Sequence, residues 1–355
     1  MAFELNKKVV NLVPYDPICG DYRIRLDANE SFILPDEKLM EKIHKAIDEI
    51  KYNRYPDPLA KKLCKTFAEF YSIDADFVTA CNGSDESISV IMNAFLQKGD
   101  KIVNVSPDFS MYKFYSSIVE CECITVEKNE DFTFDIDKII KTANENKARL
   151  IIFSNPCNPS SVGCKREEVK RLIKSVDSLV ILDEAYMDFW NQSLLDEFND
   201  YDNLIILRTC SKALTMAGIR LGFCVANKTL TNAIRSVKSP YNSNSITQAI
   251  GIAVLEEKEY LNACVEKVIK SRDELYSEMK KLEKDFPNML FSVAPNTNFV
   301  YTNFMGKAKD IFEYLKKDGI IVRHMGEYLR ITAGTDYENK EVVKGIREYL
   351  EKVKA

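Results

Sequence analysis

The sequence predicts an α/β protein in which helices cover both faces of a mostly parallel sheet, as a three-layer α/β/α arrangement. From about residue 75 to 225, short apolar segments alternate with segments of helical periodicity. The apolar segments have few polar positions, which is typical of parallel strands buried on both faces. A length of 355 residues also exceeds the size at which one hydrophobic core stops growing. We therefore predict an N-terminal arm (1–30), a large domain (31–240) and a smaller α+β C-terminal domain (241–355).

The predicted elements alternate in a regular order along the chain. A short strand at 23–26 ends the arm, and helices over 36–51 and 59–70 follow it. The strands of the large sheet are predicted at 77–80, 101–105, 123–126, 150–154, 179–183, 204–207 and 221–226, and the helices between them at 85–97, 108–119, 135–146 and 165–175. Residues 228–285 are largely helical with a break at 240–242. The C-terminal part is predicted as strand 298–301, helix 307–317, strands 320–323 and 328–332, and helix 338–353.

Composition and charge exclude several classes of function. A net charge of −5 gives no support for binding to nucleic acid or to an anionic membrane. No apolar run approaches the ~18 residues of a membrane span, and the first residues lack the pattern of a secretion signal, so a cytoplasmic location is expected. The ten cysteines are dispersed and only two histidines exist, which predicts reduced thiols and no metal site.

One lysine lies in a setting that suits covalent chemistry. Residues 208–223 read RTCSKALTMAGIRLGF, so that Lys212 follows an apolar strand and lies close to Ser211 and Arg220. A lysine amine can bind an aldehyde cofactor covalently, while a hydroxyl and a guanidinium hold its phosphate, and pyridoxal 5′-phosphate requires this combination. The same amine can carry the substrate's α-proton, so Lys212 is predicted as nucleophile and base. A solvated surface lysine is the alternative reading of this position.

Three further residues at strand ends suit the ring of the same cofactor. Asp183 ends an apolar strand and is predicted to face the pyridine nitrogen, where a carboxylate keeps the ring protonated. Tyr186 and Asn158 are predicted to reach the phenolic oxygen of the ring. An acidic strand end and a turn-forming asparagine between prolines are the alternative readings.

The turn Gly83-Ser84-Asp85-Glu86 follows a strand and opens a helix, which suits an anion such as the cofactor phosphate. A plain N-cap role for Ser84 is compatible with this function. The sequence contains no G-x-G-x-x-G, no phosphate-loop motif and no G-x-S-x-G, so dinucleotide, nucleoside-triphosphate and serine-hydrolase sites are not supported.

Several segments together resemble a known family. The segments are LDANE at 26–30, NRYPDP at 53–58, GSDE at 83–86, the lysine segment at 208–223, PYN at 240–242 and YLRITAGT at 328–335. They resemble the fold-type I pyridoxal-phosphate enzymes of the class I/II aminotransferases and, within them, the histidinol-phosphate aminotransferases. The resemblance extends from about residue 11 to 350. It departs from the family pattern at Cys157, Ser160 and Ser161, and in a shortened loop at 324–327.

The resemblance implies further site residues and a partner subunit. Tyr55 would reach the cofactor phosphate of a neighbouring subunit, which implies a homodimer with shared sites. Phe109 would stack on the cofactor ring, where the family usually has tyrosine, and Asp85 would lie in the phosphate turn. Arg330 would bind the carboxylate or phosphate of the substrate. Arg323, Tyr15 and Asn29 would line the same pocket.

The predicted function is transamination between histidinol phosphate and 2-oxoglutarate in histidine biosynthesis, with Lys212 forming the internal aldimine. An aromatic amino-acid aminotransferase and a threonine-phosphate decarboxylase share the same site features and remain alternatives. A further alternative is a protein of this fold that serves as a regulatory or binding module without catalysis. The complete set of cofactor residues argues against this alternative.

Overall fold

The computed structural model describes residues 3–10, 12 and 18–354, and these ranges contain twelve α-helices and twelve β-strands. The helices are α1 (Lys7–Val10), α2 (Glu37–Asp48), α3 (Lys61–Tyr71), α4 (Gly83–Phe95), α5 (Met111–Ile118), α6 (Ile136–Asn146), α7 (Arg166–Lys174), α8 (Lys228–Val237), α9 (Ser245–Leu255), α10 (Lys258–Asp285), α11 (Ala308–Lys317) and α12 (Asp336–Lys354). The strands are β1 (Ile24–Leu26), β2 (Val78–Cys81), β3 (Lys101–Ser106), β4 (Glu122–Glu127), β5 (Leu150–Ser154), β6 (Leu179–Asp183), β7 (Leu204–Thr209), β8 (Gly222–Ala226), β9 (Phe291–Val293), β10 (Phe299–Asn303), β11 (Ile320–Met325) and β12 (Tyr328–Thr332).

Seven of the described strands form one large sheet in the order β2-β8-β7-β6-β5-β3-β4. The strands from β7 to β4 pair in parallel, whereas β8 is antiparallel to both of its neighbours. The prediction of a mostly parallel sheet is thus confirmed.

Helices cover both faces of this sheet because alternate apolar side chains of each strand point to opposite sides. Along β5, Ile151 and Phe153 belong to a core that includes apolar residues of α2, α3, α6, α7 and α9. Leu150 and Ile152 belong to the opposite core, which includes residues of α4, α5 and α8. The result is the three-layer arrangement that the sequence predicts.

Five described strands form a second sheet, in the order β1-β11-β12-β10-β9. Its apolar side chains pack with those of α10, α11 and α12 in a separate core. β1, at the end of the predicted arm, pairs in parallel with β11 near the opposite end of the chain. Residues 27–29, which follow β1, therefore lie beside β12.

The residues at 241–255 associate with the first sheet, since Ala253, Val254 and Leu255 of α9 share its core. The boundaries of the two predicted domains, 31–240 and 241–355, therefore stay a prediction. Within the described ranges, no helix is both long and apolar enough to cross a membrane.

Candidate active site

A cavity of about 330 Å³ lies where the carboxyl ends of β5, β6 and β7 approach the second sheet. Parallel strands place the residues that follow them at one edge of a sheet, which is the usual location of ligand sites in such folds. The predicted residues that line this cavity are Asn29, Ser84, Asp85, Phe109, Asn158, Asp183, Tyr186, Ser211, Lys212, Arg220, Arg323 and Arg330. Tyr55 does not line it and is 82% exposed, and Tyr15 lies outside the described residues.

Lys212 follows β7 and extends its amine into the cavity. Its Nζ donates a hydrogen bond to the carbonyl oxygen of Ala28, at 2.8 Å. Burial, together with the positive charges of Arg330 and Arg220, lowers the pKa of Lys212 to about 8, although Glu30 opposes the shift. A lysine with this pKa has an appreciable uncharged fraction near neutral pH, and the uncharged amine is the form that attacks an aldehyde.

One end of the cavity is built for an anion. The helix α4 begins at Gly83, and its N-cap Asn82 makes no side-chain cap hydrogen bond. Arg220 donates from Nη1 to Ser211 Oγ at 3.2 Å, and its Nη2 lies 3.5 Å from Asp85 Oδ2. A guanidinium, a hydroxyl and the first amides of a helix thus converge, which is the arrangement that binds a phosphate.

Two glycines permit this convergence. Gly83 has φ +80°, and a Cβ there would lie 2.8 Å from Arg220 Nη2. A Cβ on Gly222 would lie 2.6 Å from the backbone nitrogen of Ser84. Side chains at these positions would push β8 and Arg220 away from the start of α4. The two glycines therefore allow these groups to approach one another at the anion-binding end of the cavity.

Asp183 presents a buried carboxylate at the end of β6. It is 4% exposed, and it accepts hydrogen bonds from the Tyr112 hydroxyl at 2.7 Å and from the Ala185 backbone nitrogen at 3.1 Å. Burial raises the pKa of Asp183 to about 7, and the two hydrogen bonds only partly counteract it. A protonated ring nitrogen is the kind of partner that would stabilise the ionised form here.

The raised pKa of Asp183 predicts a pH-dependent cost to the stability of the cofactor-free protein. Because the unfolded carboxyl loses its proton near pH 3.9 and the folded one near pH 7, stability from this group is lost as the pH rises between those values. We expect the free energy of unfolding of the wild type to fall by about 2–3 kcal/mol more than that of Asp183→Asn between pH 5 and pH 8. Urea unfolding of both cofactor-free proteins at the two pH values measures this difference. Equal pH dependence in the two proteins would show that burial of this carboxylate is not costly.

Asn158 and Tyr186 lie at the side of the cavity toward the second sheet. The Asn158 side-chain oxygen accepts a hydrogen bond from Arg330 Nη1 at 2.6 Å, which leaves the amide N–H groups to face a ligand oxygen. The Tyr186 hydroxyl accepts from Asn29 Nδ2 at 2.8 Å and keeps its own proton for donation. Both side chains are therefore oriented as hydrogen-bond donors.

Sequence reasoning missed Asp108 and Tyr112. Asp108 accepts hydrogen bonds from the backbone nitrogens of Phe109 (2.7 Å) and Ser154 (3.1 Å) and from the Ser154 hydroxyl. Ser154 Oγ in turn accepts from the backbone nitrogen of Asn158 at 3.2 Å. Asp108 thus ties the loop of Phe109 to the loop of Asn158, and burial raises its pKa.

The ring of Phe109 is half-buried in the cavity wall and contacts the edge of Tyr112, with centroids 5.5 Å apart. The position of this ring is thereby coupled to the tyrosine that donates to Asp183.

The second sheet contributes two arginines. Arg323 of β11 and Arg330 of β12 are directly opposite one another in the antiparallel register, and both line the cavity. Arg330 also donates from Nη2 to the carbonyl oxygen of Asp27 at 2.6 Å, and its guanidinium lies 5.4 Å from the ring centroid of Phe299. These contacts fix the guanidinium plane, so that it can bind an anionic substrate group with little further ordering.

Comparison with known proteins identifies the family. The family model of aminotransferase class I and II matches residues 23–346. The chain belongs to this family. It is 39% identical to a histidinol-phosphate aminotransferase of Clostridium kluyveri over 345 residues, covering 95% of this chain and 96% of that protein. A second relative, the histidinol-phosphate aminotransferase of Clostridium novyi, is 39% identical and covers 96% of each chain.

A solved structure agrees with the fold. The histidinol-phosphate aminotransferase of Sinorhizobium meliloti, in complex with pyridoxal 5′-phosphate, has a TM-score of 0.85 and 22% identity, covering 94% of this chain and 92% of that one. The predicted aminotransferase fold is confirmed.

The cavity of this aminotransferase fits the cofactor of its family, pyridoxal 5′-phosphate. It supplies an amine of lowered pKa at Lys212, a phosphate-binding end at Ser211 and Arg220, and a buried carboxylate at Asp183. The burial of the Asp183 carboxylate in the cavity wall supports the fit most directly, because a cationic ring nitrogen would offset the cost of that burial.

Proposed function

We propose that this aminotransferase catalyses the reversible exchange of an amino group between histidinol phosphate and 2-oxoglutarate, which gives the corresponding keto phosphate and glutamate. The direction that consumes glutamate and forms histidinol phosphate is the one that serves histidine biosynthesis. The relatives that carry this name are 35–39% identical over nearly the whole chain. The structural observation that supports the proposal is the pair Arg323 and Arg330, which line one cavity with Lys212. Two arginines suit a substrate with a phosphate and a partner with two carboxylates.

Each residue of the site has a distinct task in this reaction. When bound, pyridoxal phosphate supplies an electron sink for the charge that develops at the substrate Cα. Lys212 Nζ would hold the aldehyde end of the cofactor and, once free, would move the proton that leaves Cα. Asp183 would keep the ring nitrogen protonated, and Asn158 and Tyr186 would donate to the ring oxygen. The ring of Phe109 would provide an apolar surface on which the cofactor ring stacks.

The phosphate end and the substrate end are bound by different groups. Ser84, Ser211 and Arg220 bind the cofactor phosphate, with Asp85 holding the Arg220 guanidinium by its ion pair. Arg330 binds the carboxylate of glutamate or the phosphate of histidinol phosphate in turn, and Arg323 assists with the phosphate. Asn29 positions Tyr186 through its 2.8 Å hydrogen bond.

The choice of amino donor is tested by a half-reaction screen. Holoenzyme is mixed with histidinol phosphate, glutamate, tyrosine or threonine phosphate, and loss of the pyridoxal absorbance is followed for each amine. We expect histidinol phosphate and glutamate to react with the highest kcat/KM. Preferred reaction with tyrosine would favour an aromatic aminotransferase, and carbon dioxide release from threonine phosphate would favour a decarboxylase.

We further propose that the enzyme is a cytoplasmic homodimer in which Tyr55 of each subunit reaches the phosphate end of the other. In its own subunit Tyr55 does not line the cavity, and it stacks on Tyr241 with ring centroids 4.5 Å apart. Leu59 and Ile246 are also exposed apolar side chains near these rings in sequence. Burial of such a surface is the usual driving force of homodimer formation.

The proposed cytoplasmic location is a separate point. The ten cysteines are all free, which is compatible with a reducing compartment.

Shared sites predict complementation between two defective subunits. A heterodimer of a Lys212→Ala subunit and a Tyr55→Ala subunit contains one site with an intact lysine and an intact Tyr55 only if Tyr55 acts across the interface. We expect this heterodimer, purified by two different tags, to show about half of wild-type activity. Activity no higher than half that of the Tyr55→Ala homodimer would show that Tyr55 acts within its own subunit or not at all.

A further inference from the structure

Asn29 is held in the cavity wall by three hydrogen bonds to the second sheet and its flanking residues. Its backbone nitrogen donates to Thr332 Oγ1 at 3.1 Å, and its side-chain oxygen accepts the proton of the same hydroxyl at 3.2 Å. Its carbonyl oxygen accepts from Asn298 Nδ2 at 3.1 Å. These bonds hold Asn29 in the left-handed region, at φ +54°, which asparagine tolerates better than most residues. Thr332 ends β12, is 2% exposed and does not line the cavity.

A fourth hydrogen bond of Asn29 reaches a phenol in the cavity. Its Nδ2 donates to the Tyr186 hydroxyl at 2.8 Å, and both residues line the cavity. Burial raises the pKa of the Tyr186 phenol, although Arg330 and the bond from Asn29 oppose the shift, so the phenol keeps its proton near neutral pH. Because the phenol accepts from Asn29, its single proton is available to a ligand.

The direction of this bond depends on which end of the Asn29 amide faces Tyr186. A half-turn of the amide exchanges its oxygen and its NH₂ group, which are nearly equal in size. In the turned orientation the amide oxygen would face the phenol, and the phenol would donate its proton to Asn29. A hydroxyl has only one proton, so the phenol could then not donate to a cofactor in the cavity.

The Thr332 hydroxyl selects between the two orientations of the amide. It accepts a hydrogen bond from the backbone nitrogen of Asn29, and its own proton has one acceptor among the described residues, the side-chain oxygen of Asn29. In the turned orientation this buried proton would lose that acceptor. Since an unpaired buried hydroxyl proton is costly and rare in native proteins, the orientation that leaves the phenol proton to the ligand is favoured.

We propose that Thr332 is a positioning residue that fixes the amide of Asn29, so that the Tyr186 phenol donates its proton to the ring oxygen of the cofactor. The inference rests on the role proposed above for Tyr186 toward that oxygen. Thr332 acts only through Asn29 and Tyr186, and its hydroxyl is the part of its side chain that the role requires.

Binding of two cofactors to the cofactor-free protein tests this role. Pyridoxal 5′-phosphate has the ring oxygen, and 3-deoxypyridoxal 5′-phosphate lacks it. For Thr332→Val, which has nearly the same shape without the hydroxyl, we expect the dissociation constant of pyridoxal phosphate to rise about tenfold. That of the deoxy analogue should change by less than about threefold, because the oxygen that accepts from the phenol is absent. Thr332→Ser keeps the hydroxyl and should bind both cofactors with nearly wild-type affinity.

The pH dependence of the absorbance of bound pyridoxal phosphate is a second measurement. A ring oxygen that loses its donor becomes more basic and holds a shared proton to a higher pH. We expect the midpoint of the absorbance change to rise by on the order of one pH unit in Thr332→Val and to keep its wild-type value in Thr332→Ser. Thr302→Val is the matched control, since Thr302 is a buried threonine of β10 whose hydroxyl pairs with that of Ser292 outside the cavity lining. It should leave both measurements unchanged.

Tyr186→Phe separates the inference from the role on which it rests. If Tyr186→Phe leaves the relative affinity for the two cofactors and the pH midpoint unchanged, the role proposed for Tyr186 is wrong and the inference fails with it. If Tyr186→Phe changes both and Thr332→Val changes neither, the assignment of Thr332 alone is wrong. Equal weakening of both cofactors by Thr332→Val, with no change of the midpoint, would show a merely structural role and would also overturn the inference.

Discussion

Lys212→Ala is expected to reduce transamination by at least about 10⁴-fold, the largest effect of any single substitution in this protein. Two functions would be lost together, because in the proposed reaction the same amine would hold the cofactor aldehyde and move the Cα proton. The lowered pKa of Lys212, about 8, is the structural sign that the amine is prepared for both. The measurement is the steady-state rate with histidinol phosphate and 2-oxoglutarate, alongside the absorbance of the covalently bound cofactor.

Lys113→Ala is the control for this substitution, because Lys113 is an exposed lysine of α5 that does not line the cavity. It should retain full activity and the full absorbance of the bound cofactor. A Lys212→Ala protein that keeps that covalent absorbance and more than about 1% of activity would show that another amine anchors the cofactor.

Arg330→Gln is expected to lower kcat/KM by about 10²–10³-fold for both glutamate and histidinol phosphate. The guanidinium lies between Asn158 Oδ1 and the carbonyl oxygen of Asp27, at 2.6 Å from each, and is held over Phe299. Loss of the side chain removes the anion-binding fork and also releases the amide of Asn158. Half-reaction kinetics with both amines measure the effect.

Arg330→Lys distinguishes charge from geometry at the same position. A lysine keeps the charge but cannot bind two oxygens in one plane, so most of the loss should remain. Arg347→Gln, at an arginine paired with Asp285 away from the cavity, should leave both rates unchanged. If Arg330→Lys restores full activity, the bidentate role assigned to this residue is wrong.

The fold was predictable from the sequence where burial dictates the pattern. Residues 150–153 and 204–207 are apolar throughout because they belong to central strands with both faces covered, and the structure places them there. Strand direction is not encoded in such a pattern. β8 is antiparallel to β7, which it follows after the connection 210–221, and the residues 222–226 have the same apolar pattern as a buried parallel strand.

The site was predictable where a residue lies at or just beyond the carboxyl end of a strand. Asp183 ends β6, and Lys212 and Asn158 follow β7 and β5, so the parallel sheet brings them to one edge. Tyr112 was not predictable because it lies in a helix whose periodicity assigns it to the core, and only its hydroxyl reaches Asp183.

The contact of Asp27 with Arg330 was beyond sequence reasoning for another reason. It joins positions 303 residues apart through the pairing of β1, a strand of three residues, with β11. So short a strand carries too little pattern to specify its partner.

The most direct test of the account is the stoichiometry of the full reaction. Purified holoenzyme is incubated with histidinol phosphate and 2-oxoglutarate, and consumed amine, formed glutamate and released carbon dioxide are measured together. We expect one glutamate for each histidinol phosphate consumed, with no carbon dioxide. Consumption of the amine without glutamate, or release of carbon dioxide in its place, would contradict the proposed function.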